Sequence, residues 1–85
     1  ILGDMFELGD QARKEHQAIA DLCNATKFEQ VILVGANFAK CMSPHLILTS
    51  TEDLVSWLQE QAPKGKSILL KGSRGMALEK ALPYL

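Results

Sequence analysis

The sequence predicts one α/β domain over residues 1–85, a Rossmann-like three-layer fold with a mostly parallel sheet. Two patterns carry that expectation. Apolar runs of strand length recur at Ile1-Leu2, Val31 to Val34, Leu46 to Leu48 and Ile68 to Leu70, without the period-2 alternation of a half-wetted strand. Between them the apolar spacing is helical, and alternating strands and helices imply parallel strands joined by right-handed crossovers. In such sheets ligands gather outside the carboxyl ends of the strands. The loops to watch are therefore Gly3 to Gly9, Gly35 to Phe38, Thr49 to Thr51 and Lys71 to Gly75.

The elements follow in order. After the first strand, Ala12, His16, Ile19, Ala20, Cys23 and Thr26 fall on one face of a helix from Asp10 to Lys27, with Asp10 placed to cap it. Arg13, Lys14, Glu15 and Asp21 make its wet side. A short helix is expected from Ala36 to Met42, stopped by Ser43-Pro44. Ser50-Thr51-Glu52-Asp53 opens the next, with Ser50 and Asp53 at capping-box spacing and an inward stripe of Leu54, Val55, Leu58 and Trp57. Pro63-Lys64-Gly65-Lys66 reads as a turn. The last helix runs from Gly75 to Leu82, burying Met76 or Leu78 together with Leu82, and ends at Pro83.

Composition removes several function classes. A net charge of −1 with nine Lys and Arg spread along the chain gives no basic face for nucleic acid. No apolar run approaches the roughly 18 residues that cross a bilayer, and no signal-peptide pattern is present, so a cytoplasmic protein is expected. Cys23 and Cys41 lack a C-x-x-C pattern, and His16 and His45 do not fall at zinc-ligand spacing. The cysteines read as small buried residues of a reducing compartment, and no metal site is expected. The chain opens within an apolar run, as expected of a piece of a longer protein.

Chemistry concentrates in the turn Lys71-Gly72-Ser73-Arg74-Gly75. Its glycines permit close approach, a following helix would present free N–H groups, Ser73 adds a hydroxyl and Arg74 a fork of donors suited to a carboxylate or phosphate. The turn reads as an anion cradle or, more blandly, as a tight turn with a solvated arginine. It lacks the G-x-x-x-x-G-K spacing of a nucleotide triphosphate loop. Asp4 and Glu7, in a glycine-bounded loop, are placed to receive a hydroxyl, an ammonium or a cation, or simply to be solvated. Gly35-Ala36-Asn37 decides nothing alone. His16 fits a hydrogen-bonded packing role better than catalysis. No catalytic apparatus is complete, and no catalytic residue is assigned.

Taken together, the ordered motifs Ile1-Leu2-Gly3-Asp4-Met5-Phe6-Glu7-Leu8-Gly9, His16, Val31-Ile32-Leu33-Val34-Gly35 and Leu70-Lys71-Gly72-Ser73-Arg74-Gly75-Met76 with Glu79 resemble the carboxyl-terminal domain of the Mur ligases. The resemblance implies a three-domain enzyme that binds a UDP-sugar, hydrolyses ATP on a central domain, and uses this domain to bring the incoming amino acid or dipeptide and close over ATP. It implies ATP and magnesium held mainly by that central domain. The implied reaction adds the dipeptide D-Ala-D-Ala to a UDP-muramoyl-tripeptide through an acyl phosphate. By the same resemblance Lys71, Gly72, Ser73 and Arg74 grip the dipeptide, Asn37 lies in a second substrate-facing loop, and Asp4 and Met5 face the nucleotide at the domain interface. The Asp-Asn-Pro-Arg signature of the diamino-acid-adding relative is absent here, which fits a different amino substrate. The competing expectation is a free-standing, non-catalytic module that binds a small carboxylate or nucleotide.

Overall fold

The computed structural model describes residues 1–6, 8–61 and 64–85. Three parallel strands, β1 (Leu2–Gly3), β2 (Ile32–Val34) and β3 (Leu46–Leu48), lie side by side in that order. Leu2 pairs with Leu33, and Leu33 in turn with Ile47. The crossover from β1 to β2 carries the helix α1 (Ala12–Ala25), the connection from β2 to β3 holds a 3-10 turn, and a second helix, α2 (Thr51–Gln61), follows β3.

The side chains of β2 divide the core between two faces. Ile32 and Val34 pack with Leu54 and Leu58 of α2 and with Leu78 and Ala81, whereas Val31 and Leu33 pack with Ala20 and Cys23 of α1 and with Phe38. That period of two is the pleat of a strand covered on both sides, so the layers are helix, sheet and helix. The expected α/β class and parallel sheet are found.

Details differ. Residues 68–71 lie alongside β1 rather than forming a fourth full strand. Gly3 N–H donates to the Lys71 carbonyl at 2.7 Å and Lys71 N–H to the Ile1 carbonyl at 3.0 Å, but the pairing amounts to one bridge, Leu2 to Lys71. Only one side of this segment is covered, and Leu69 is 65% exposed.

Asp10 is not the cap of α1, because a 3-10 turn over Gly9–Gln11 precedes the helix and puts Gln11 at the cap position. The second expected helix shrinks to a 3-10 turn, Phe38–Lys40. The forward half of the capping box at α2 forms, with Asp53 N–H donating to Ser50 Oγ at 3.1 Å. The Asp53 carboxylate accepts instead from Thr49 Oγ1 at 2.8 Å.

The last helix is two 3-10 pieces, Arg74–Met76 and Leu78–Tyr84, hinged at Ala77 with φ of 52°. At three residues per turn, Leu78 and Ala81 share the buried face. Leu82 therefore turns outward, 58% exposed, and Pro83 sits inside the helix instead of ending it. Gly65, at φ of 70°, fits the expected turn, while Pro63 lies outside the described residues. Among the described residues no helix is long and apolar enough to cross a membrane.

Candidate functional site

All strands point the same way, so the loops at their carboxyl ends collect on one edge of the sheet, and hydrogen bonds join them. Asp4, directly after β1, is 2% exposed and turned inward. Its carboxylate accepts the Asn37 N–H at 2.8 Å and the Phe38 N–H at 3.1 Å, satisfying the amino end of the 3-10 turn across the sheet. Gly35 makes room for it. With φ of 132°, Gly35 holds a backbone form that L side chains rarely adopt, and a β-carbon there would overlap the Asp4 carboxylate.

The loop after β1 is fixed atom by atom. Asp4 N–H donates to the Val34 carbonyl at 2.9 Å, and the Asp4 carbonyl accepts Ser73 N–H at 3.1 Å. Met5 N–H donates to His16 Nε2 at 2.9 Å, and Phe6 N–H to Ser73 Oγ at 2.8 Å. Residues 4–6 and Ser73 thus form one unit. Its glycines serve close approach rather than unusual backbone angles. A β-carbon at Gly72 would meet Leu78 Cδ1 at 2.8 Å and Gly3 Cα at 3.0 Å, and one at Gly75 would overlap the Phe6 ring.

On this frame stand the two cations. Lys71 and Arg74 are exposed, and neither side chain enters an ion pair among the described residues. Ser73 is the cap residue of the Arg74–Met76 turn, and the Arg74 and Gly75 amides find no backbone acceptor among the described residues. Ser73 Oγ accepts from Phe6 and keeps its own proton to donate. The turn carries an arginine fork, an ammonium, a hydroxyl and open amides, the kinds of donor that a carboxylate takes.

The structure brings Lys71, Gly72, Ser73 and Arg74 together with Met5 through the Asp4–Phe6 loop. Asp4 and Asn37 are joined to each other behind that loop, through the Asn37 amide, and the Asp4 carboxylate is directed into the protein rather than toward a ligand. Glu7 lies outside the described residues. Three residues carry more of the site than their sequence context shows. Phe6 covers Gly75, His16 holds the Met5 amide, and buried Thr51 donates its hydroxyl to the Met76 carbonyl, tying α2 to the turn. Phe6 is the one aromatic residue of its loop, a signal visible in the sequence, whereas Thr51 was hidden among capping residues.

Among the described residues no cluster of three or more His, Cys, Asp or Glu could hold a metal ion. With the Asp4 carboxylate already bonded to two amides and no triphosphate loop in the sequence, these residues do not fit an ATP–magnesium site. Beside the loops, an apolar groove of about 710 Å³ runs between Ile19 and Leu22 of α1, Phe28, Leu2 and Leu69, and reaches Met5 at one end.

A three-strand parallel sheet between helices, with its strand-end loops gathered on one edge, defines the class, a Rossmann-like α/β domain. The chain belongs to the Mur ligase family, and it matches the carboxyl-terminal fifth of its curated members. It is 34% identical over 96 residues to UDP-N-acetylmuramoyl-tripeptide--D-alanyl-D-alanine ligase of Bacillus subtilis (strain 168), covering 100% of this chain and 21% of that protein. The ligase of the same name from Treponema pallidum (strain Nichols) is 31% identical over 94 residues, covering 100% of this chain and 20% of that protein. That from Rickettsia prowazekii (strain Madrid E) is 29% identical over 90 residues, covering 99% and 20%. No family model matches the chain, and no solved structure matches it significantly.

Proposed function

We propose that this chain is the dipeptide-gripping, closing domain of an ATP-dependent ligase that adds D-Ala-D-Ala to UDP-muramoyl-tripeptide in peptidoglycan precursor synthesis. The observation that carries the proposal is the Lys71–Arg74 turn, braced on the Asp4–Phe6 loop with both cations exposed and outside any ion pair among the described residues. The dipeptide carboxylate lies against Arg74, Lys71 and the Ser73 hydroxyl, leaving its amine to project from the sheet edge. That amine attacks the acyl phosphate made from the precursor's terminal carboxylate, forming the amide and releasing phosphate.

ATP and magnesium sit on the central domain of the same polypeptide. Met5 and the outward side of its loop face that domain. The apolar groove supports the same reading. A right-handed crossover entering β1 from beyond residues 68–71 sets its helix on the α1 face, where the groove lies open. In the relatives about four-fifths of the polypeptide lies outside the matched portion, and the preceding part supplies that helix. The enzyme works in the cytoplasm, where its nucleotide-linked substrate is made.

The test is kinetic. In the intact ligase, Arg74→Ala raises the KM for D-Ala-D-Ala about tenfold or more, as loss of a charge-assisted contact does, and leaves the KM for ATP nearly unchanged. An equal rise in both makes Arg74 part of closure rather than of recognition. This chain alone shows no turnover, and detectable ligation by it would overturn the assignment of the chemistry to the absent domains.

A further inference from the structure

We infer that His16 is a positioning residue: its Nε2 lone pair holds the Met5 amide and so sets the loop on which the carboxylate-gripping turn is built. The inference rests on the grip assigned to Lys71–Arg74 and adds a residue to it.

His16 is fully buried on the inner face of α1. Its Nδ1 lies within hydrogen-bond reach of the Ala12 carbonyl one helical turn back. A carbonyl only accepts, so Nδ1 carries the proton, and the single lone pair of the neutral ring is on Nε2. That lone pair takes the Met5 N–H at 2.9 Å. Phe38 meets the ring edge-on, with centroids 4.8 Å apart, and stops it from turning.

The other bonds of residues 4–6 come from strand ends and from the grip itself: Val34, Asn37, Phe38 and Ser73. Among the hydrogen bonds of the described residues, His16 alone ties residues 4–6 to α1. Met5 stands between Asp4, whose carbonyl takes Ser73 N–H, and Phe6, whose N–H meets Ser73 Oγ. Releasing Met5 therefore loosens both attachments of Ser73, and Arg74 follows it in the chain.

Asp4 Oδ1 lies 3.7 Å from Nε2, beyond hydrogen-bond length, and is engaged by the Phe38 amide.

The test compares two variants in the intact ligase. His16→Leu fills the space without an acceptor, whereas His16→Gln offers an oxygen near the place of Nε2. Steady-state kinetics are read for both substrates, and amide hydrogen exchange is read at Met5 and Ser73. His16→Leu is expected to raise the dipeptide KM about tenfold, the upper range for one hydrogen bond, with the ATP KM unmoved. Exchange at Met5 and Ser73 speeds up in parallel. His16→Gln restores both readouts most of the way.

Equal losses in the two variants, with both KM values raised, would reduce His16 to packing and overturn the inference. Unchanged exchange at Met5 in His16→Leu overturns it as well. Failure of the grip reading looks different: Arg74→Ala then leaves the dipeptide KM unmoved, while Met5 protection still follows the side chain at position 16.

Discussion

Replacing Asp4 by Asn tests how the loops at the sheet edge are held. The carboxylate is 2% exposed and binds two amides, Asn37 at 2.8 Å and Phe38 at 3.1 Å. Asn keeps one accepting oxygen and turns an NH₂ group toward the other amide, so one bond is lost and one buried N–H is left unpaired. A hydrogen bond to a charged acceptor contributes about 1.5–3 kcal/mol, and an orphaned buried donor costs about 1–3 kcal/mol. These overlap, and a net loss of about 2–4 kcal/mol is expected. A domain of this size has about 4–13 kcal/mol in total. Asp4→Asn should therefore remain folded, with a markedly lower urea midpoint and an unchanged m-value. Exchange at Asn37 and Phe38 should rise more than exchange in α2. A stability change under about 0.5 kcal/mol, the size of an ordinary surface substitution, would refute the reasoning.

Further outcomes follow from the same geometry. Gly72→Ala places a methyl against Leu78 and the Gly3 backbone, and overpacking there should lower stability by about 1–3 kcal/mol in the same urea assay. Thr51→Val keeps the shape of the side chain but leaves the Met76 carbonyl without its hydroxyl partner, costing about 1–2 kcal/mol, read by thermal unfolding. Burial pushes the Cys23 thiol above its ordinary 9.0, and burial together with the Asp4 carboxylate does the same for Cys41. The folded state then holds these protons at pH values where the unfolded chain releases them. That contribution is complete below the ordinary thiol value and is lost as pH rises through the folded one. Urea midpoints should thus fall in strongly alkaline solution, and less so in a variant with both cysteines replaced by alanine.

The sequence announced the architecture through its apolar runs. Val31 to Val34 has no alternation, and the structure buries both of its faces. That the chain turns at Lys71 to Gly75 was legible, because two glycines and a serine follow an apolar run. What was hidden depended on contacts distant in sequence. Asp4 was expected to receive a hydroxyl, an ammonium or a cation, or to be solvated, and nothing local shows that two amides more than thirty residues later would draw it inside. Residues 68–71 had the composition of a strand, but among the described residues they have one neighbour, β1, and form a single bridge with it. The tail looked α-helical, but Ala77 in the left-handed region breaks it, and the three-residue period exchanges Leu82 for Ala81 in the core. The buried face of α1 placed His16 correctly, whereas the Met5 amide it binds was beyond the reach of periodicity.

The central claim is that Arg74 recognises a carboxylate, and a double-mutant cycle on the substrate addresses it most directly. The intact ligase and its Arg74→Ala variant are each assayed with D-Ala-D-Ala and with the same dipeptide ending in a carboxamide. If Arg74 pairs with the carboxylate, the wild-type enzyme discriminates strongly against the amide and the variant hardly at all. The coupling should be about 1.5–3 kcal/mol in kcat/KM. Losses that simply add, with the variant rejecting the amide as strongly as the wild type does, would contradict it.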